Sequence, residues 1–193
     1  MAHSLGNLLW PPLAIARQQT EKSRTDSSTV TSSIGRPVQS PLSLDEIRQA
    51  IRQNPKDANL YYRAGQLEEK RENWGQALKD YQTAIKLNSK FADAHYRTGI
   101  AWEQTGEMYY EGRRVVGGPQ RSKAIDAYKT AIRLRPDFAE AYYRLSLAYL
   151  MGNNLRKANE AYQQLSQLEP DTDRTRQLLR QIYHHHQEQA QKR

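Results

Sequence analysis

No cysteine occurs in the 193 residues, which excludes disulfides and thiolate metal sites. It does not decide the compartment, since a reduced cytosolic protein and a small secreted helical one can both lack cysteine. No apolar run approaches the roughly 20 residues of a membrane-spanning helix. The longest, Leu8 to Ala16, is broken by Pro11 and Pro12. Catalytic signatures are missing too: there is no Gly-rich phosphate loop, no His-Glu-x-x-His and no serine elbow. Val115-Val116-Gly117-Gly118-Pro119 is Gly-rich but lacks the Lys-Ser/Thr of a phosphate loop. Histidine amounts to His3, His95 and the run His184 to His186. Three consecutive helical residues point about 100° apart and cannot share one metal ion. No enzymatic activity, cofactor, metal site or small-molecule substrate is expected.

A dense basic stripe is also absent, although the net charge is +8. Residues 1–41, 107–123 and 172–193 carry +2, +2 and +3 respectively, so the charge is dispersed. Nucleic-acid binding needs a concentrated footprint and is not the favoured reading. An adaptor that meets nucleic acid or an anionic membrane through dispersed basic tails stays as an alternative.

What is present divides at Pro41. Residues 1–41 hold eleven Ser or Thr, with SSTVTSS at 27–33, and show no sustained hydrophobic period, which predicts a disordered linker. Ala14-Ile15-Ala16 resembles a small-x-small cleavage site, but no Lys or Arg precedes the apolar stretch. The hydroxyl-rich, acid-poor composition also suits an organellar transit segment. The third reading is a flexible tail in which Leu8, Leu9 and Trp10 form a short docking motif. The expected location is cytoplasmic, with organellar import or membrane attachment through this tail as alternatives.

Beyond Pro41 the chain repeats itself. YYRAG at 61–65 returns as HYRTG at 95–99 and YYRLS at 142–146. The first interval is 34 residues and the second 47, thirteen longer. Ala77, Ala124 and Ala158, then Tyr81, Tyr128 and Tyr162, recur in step, and Ser89, Pro136 and Pro170 close the units. From Gly65 to Ala77 and from Ser146 to Ala158 is 12 residues, but from Gly99 to Ala124 is 25, so the extra residues lie inside the second unit. Two helices of about a dozen residues with short turns fill such a unit, and a small residue in each helix permits close backbone approach. Gly65, Gly99 and Ser146 are expected to face Ala77, Ala124 and Ala158, with Tyr61, Trp102, Tyr142 and Tyr149 filling the space beside them.

This pattern resembles the tetratricopeptide repeat (TPR) family. The resemblance implies an all-α, right-handed helix-turn-helix solenoid with three repeats at 58–91, 92–138 and 139–172. Glu68 stands where the family usually has an aromatic, and Ser89 where it has proline, so the first repeat departs most. Before it, Ser43-Leu44-Asp45-Glu46 reads as a capping box opening an N-terminal capping helix within 42–56. After the third repeat, Leu178, Leu179, Ile182 and Tyr183 form an apolar stripe on a C-terminal capping helix within 173–193.

In this family the first helix of each repeat lines a concave groove, where partner segments bind. The resemblance places Tyr62, Arg63, Gln66 and Lys70 there from the first repeat. The second contributes Tyr96, Arg97 and Ile100, and the third Tyr143, Arg144, Leu147 and Met151. The Tyr-Arg pair then forms a ladder able to meet carboxylates and aromatic rings. Asp93 and Glu140 precede Arg97 and Arg144 by four, so those two arginines are expected to pair within their own helices and leave Arg63 alone. Counting acids against bases, the groove is charge-balanced, with an apolar end at Leu147, Leu150 and Met151. The expected partner is a protein segment with apolar or aromatic anchors and one or two acids. The alternative is a ladder that is merely structural. Family members that capture chaperone C-terminal carboxylates use Lys and Asn in the first repeat, where this chain has Tyr62 and Gln66.

The insertion EMYYEGRRVVGGP at 107–119 is a second candidate surface, through Tyr109, Tyr110, Arg113 and Arg114. It is expected to extend the preceding helix through Arg114 before Gly117-Gly118-Pro119 turns the chain back. Lengthening one of three repeats is similar to certain photosystem I assembly factors, which makes photosynthetic-complex assembly an alternative function. The primary expectation is a non-catalytic scaffold or adaptor, an assembly factor or complex subunit.

Overall fold

The computed structural model describes residues 42–110 and 113–191, and for 107–110 and 113–116 the backbone alone. The tail with its docking and targeting alternatives lies outside the described residues. Eight helices occur among the described residues. They are α1 (Leu44–Gln53), α2 (Ala58–Lys70), α3 (Trp74–Leu87), α4 (Ala92–Thr105), α5 (Gly118–Leu134), α6 (Ala139–Met151), α7 (Leu155–Leu168) and α8 (Asp173–Gln191). Three consecutive helical hairpins form, α2 with α3, α4 with α5 and α6 with α7; α1 packs on α2, and α8 on α7 and α6. The fold is an all-α solenoid.

Local chemistry starts several helices. The Ser43 hydroxyl accepts from the Glu46 N–H at 3.3 Å and the Glu46 carboxylate accepts from the Ser43 N–H at 2.7 Å, so both halves of the capping box form. Asp57 caps α2 and Asn154 caps α7 by a single bond each, accepted from the Asn59 and Lys157 N–H groups. At α4 and α6 the cap positions hold Phe91 and Phe138, which make no side-chain cap bond. Their rings pack on Tyr62 and Tyr96, with centroids 4.7 and 4.8 Å apart. Each phenylalanine gives up a cap worth about 1 kcal/mol and gains an inter-repeat aromatic contact.

The small residues of the repeat work against rings. A Cβ on Gly65 would lie 2.5 Å from Tyr81, and one on Gly99 would lie 2.4 Å from Tyr128. Tyr81 and Tyr128 are both fully buried. Ser146 replaces this contact with a hydrogen bond from its hydroxyl to the Ala158 carbonyl at 2.8 Å, and Tyr162 is left half-buried.

The insertion corrects one expectation. α4 stops at Thr105, and instead of continuing as helix through Arg114 the chain forms an antiparallel hairpin of β1 (Glu107–Tyr110) and β2 (Arg113–Val116). Tyr109 pairs with Arg114 and Tyr110 with Arg113. Tyrosine and valine favour extended backbone over helix, and this segment is rich in both. The hairpin base is closed by a 2.9 Å bond from the Gly117 N–H to the Gly106 carbonyl.

Candidate partner-binding face

The first helices α2, α4 and α6, followed by α8, form one layer, because side chains on each reach the next. Arg97 of α4 donates to Glu69 of α2 at 2.7 Å. Arg144 of α6 donates to Glu103 of α4 at 3.4 Å, and Arg174 of α8 stands 3.8 Å from Glu140 of α6. These pairs overturn the intrahelical pairing expected for the Tyr-Arg ladder. Asp93 is taken by Arg135, not Arg97, at 2.5 Å. An i, i+4 pair is worth about 0.2–0.5 kcal/mol, so a better-buried carboxylate on the adjacent helix wins. Glu103 is such a carboxylate, with its side chain 8% exposed.

Two corresponding triads result, which differ in that the Tyr81 hydroxyl is hydrogen-bonded and the buried Tyr128 hydroxyl has no hydrogen-bond partner among the described residues. Tyr81 donates its hydroxyl to the same Glu69 that binds Arg97, at 2.5 Å. Burial first, then this carboxylate, pushes the Tyr81 phenol well above its ordinary pKa. In the next repeat Tyr128 is buried beside Glu103, and burial followed by that charge raises its pKa in the same direction. The third repeat breaks the series: Leu150 stands at the position of Glu69 and Glu103 and is buried.

The predicted face residues therefore separate. Tyr62 and Tyr96 are half-buried wedges against the following helix, and burial raises both phenols. Ile100 is 6% exposed and belongs to the core with Tyr128 and Leu145, a correction to its placement in the groove; neighbouring helices cover the position that the repeat pattern assigned to a partner. Tyr143 and Leu147 are half-buried, and the Arg174 guanidinium lies over the Tyr143 ring at 5.5 Å. Arg97 and Arg144 are committed to carboxylates. Arg63, Lys70 and Met151 are exposed, and neither Arg63 nor Lys70 makes an ion pair among the described residues. Tyr109, Tyr110, Arg113 and Arg114 lie on the hairpin, which joins α4 to α5.

Two clefts open on this layer. One of about 350 Å³ has Leu42, Ile47 and Leu67 as apolar lining, with Arg63, Gln66, Lys70 and the Glu69–Arg97 pair around it. The other, about 700 Å³, lies between the end of α6 and α8. Spacing within the repeats pointed to neither Leu42 nor Ile47, because both come from the chain before the first repeat. The one available signal was Glu68, the acid in an aromatic position. Arg48 of α1 bonds Glu68 at 3.2 Å and Asp80 at 2.8 Å, and this clasp seats α1 beside α2.

Comparison with known proteins agrees with this architecture. A TPR repeat model matches residues 65–106 and 120–153, and a tetratricopeptide repeat model matches 140–172. The chain belongs to the tetratricopeptide repeat family. A search of curated proteins finds no match. Among solved structures, a tetratricopeptide repeat protein from Parabacteroides merdae superposes with a TM-score of 0.64 at 18% identity, over 75% of this chain and 53% of that one. YrrB, described as a TPR protein with an unusual peptide-binding site, gives 0.59 at 21% identity over 71% and 64%. The first TPR of Spaghetti (RPAP3), bound to the HSP90 peptide SRMEEVD, gives 0.57 at 17% over 67% and 92%. At these identities the likeness establishes the fold.

Proposed function

We propose that the chain is a protein-interaction scaffold or adaptor, of the kind that serves as an assembly factor or complex subunit, and binds a partner segment along the α2–α4–α6 layer. The supporting observation is the contrast between spent and unspent charge. Arg97 and Arg144 are neutralised inside the array, whereas Arg63 and Lys70 stand exposed and unpaired beside a cleft lined by Leu42, Ile47 and Leu67. A buried apolar anchor supplies affinity and a carboxylate on the neighbouring residue meets the free cations. The partner is thus a segment with an apolar or aromatic residue next to an acid. Peptide binding by YrrB and by the Spaghetti TPR is compatible with that role.

Selection from a displayed peptide library, followed by fluorescence anisotropy on synthesised hits, tests this. Recovered peptides are expected to pair Leu, Phe or Tyr with Asp or Glu, and Arg63→Gln with Lys70→Gln is expected to weaken them about tenfold at unchanged thermal stability. Hits that bind the double variant as tightly as the parent would overturn the proposal.

A further inference from the structure

The second cleft is built differently from the rest of the layer. α6 ends at Met151 with Gly152 as its C-cap, and the chain reverses through Asn153 in the left-handed region at φ 57°. The Asn153 side chain is held by His185 at 2.8 Å and by Gln189, both on α8. This contact ties α8 to the turn that follows α6. Gln177, Arg180, Gln181 and His184 recur at helical spacing on α8 and line one wall; Leu150 and the exposed Met151 line the other.

Along the layer a carboxylate on one first helix meets an arginine from the next, Glu69 with Arg97 and Glu103 with Arg144. At the third step the carboxylate is replaced by Leu150, and α8 brings Arg180 to the cleft. Arg180 is exposed and has no ion pair among the described residues. Glu188 faces His184 and His185 at 3.5 and 3.9 Å, and Asp173, which senses the Arg180 charge, is paired with Arg176 at 2.7 Å. The cleft thus offers an apolar wall, a flexible thioether and an exposed guanidinium outside any ion pair among the described residues.

We infer that the α6–α8 cleft is a second subsite, which takes an apolar side chain with an adjacent carboxylate from the partner, so that the layer holds a ligand anchored at both ends. This rests on the reading that the layer binds a partner segment. The middle of the layer, where the arginines are already paired, contributes shape and not charge. A methionine suits the anchor position because its side chain repacks around different apolar groups. The partner carboxylate supplies to Arg180 what Glu103 supplies to Arg144.

The probe is a short capped peptide containing one Leu-Glu pair among Gly and Ser, titrated into the isotope-labelled full chain and followed by amide NMR. Shifts are expected at Met151, Gln177 and Arg180 as well as at Arg63 and Lys70. The α6–α8 shifts are expected to require about tenfold more peptide in Arg180→Gln, in Gln181→Glu, and when the peptide carries Gln for Glu. A peptide with two Leu-Glu pairs on a flexible spacer is expected to bind more tightly than the single-pair peptide, and Arg180→Gln to return it to single-pair affinity. Shifts confined to Arg63 and Lys70 would overturn this inference and leave the proposed function standing. Shifts at α6–α8 that ignore the Gln peptide would overturn the role of Arg180, and silence at both ends would overturn both readings. Arg180 and Gln181 are exposed, so unchanged spectra elsewhere verify that each variant is folded.

Discussion

The two ends of the helical array combine ionic and apolar contacts in different proportions. At the start, Glu68 and Asp80 are both buried and share Arg48 from α1. Their counterparts in the third repeat are Tyr149 and Ala161, and there the closing helix α8 inserts Leu178 and Ile182 into an apolar cluster with Leu150 and Leu165. An ionic clasp demands geometry, because each buried carboxylate must keep its partner. An apolar closure demands only area and shape. That difference teaches where partner-binding charge is available: at the first end the clasp uses Arg48 and leaves Arg63 and Lys70 without an ion pair among the described residues, while at the last end α8 pairs Arg174 with Glu169 and Glu140 and leaves Arg180 without one.

The contrast breaks most severely through Arg48→Met, which strands two buried carboxylates and is expected to cost about 3–5 kcal/mol in urea unfolding. Adding Glu68→Leu and Asp80→Ala makes this position apolar, as it is at the other end, and is expected to recover most of the loss. Failure to recover would mean that the clasp is not the origin of the cost. Leu178→Ala, the matching lesion at the apolar end, is expected to cost about 2–5 kcal/mol by cavity formation. Its cost should be insensitive to salt.

Between the ends, Gly99→Val would drive a side chain into the buried Tyr128 ring, and calorimetry is expected to show a loss of roughly 1–3 kcal/mol. The third repeat already carries Ser146 at this place, so Ser146→Gly is expected to cost less, about 1 kcal/mol for its hydrogen bond.

Alkali sharpens the same division. Tyr81 and Tyr128 hold their protons more tightly when folded, so their contribution is complete below the unfolded tyrosine pKa of about 10 and declines as pH rises above it. Each is expected to lower stability by about 1.4 kcal/mol per pH unit there. Tyr128→Phe should reduce the slope, as read from denaturation midpoints between about pH 10 and 11.5. The smallest effect concerns the α2–α3 turn, where Glu72 has φ 59° and its third-repeat counterpart is Asn153 at φ 57°. Glu72→Gly is expected to raise the unfolding free energy by about 0.5–1 kcal/mol, since glycine accepts that conformation without cost.

Helix pairing was legible because it follows from intervals, but the contact within each pair was not: Gly65 and Gly99 meet the Tyr81 and Tyr128 rings where Ala77 and Ala124 were expected. The insertion was misread because helical continuation was extrapolated from α4, although Gly106 and the Tyr and Val residues after it favour a stop and an extended hairpin. Ile100 was misplaced because a repeat position names a face but not what the neighbouring repeat covers.

Sequence by itself determined the order of the helices and their pairing into repeats, since these depend on local propensity and fixed spacing. Tertiary structure alone decided which charges are spent. Arg97 passes over Asp93 four residues away for Glu69, 28 residues away, and Arg144 takes Glu103, 41 residues away, in place of Glu140. Burial makes a carboxylate's need for a partner far stronger than a few tenths of a kcal/mol along one helix, and burial is a property of the assembled array.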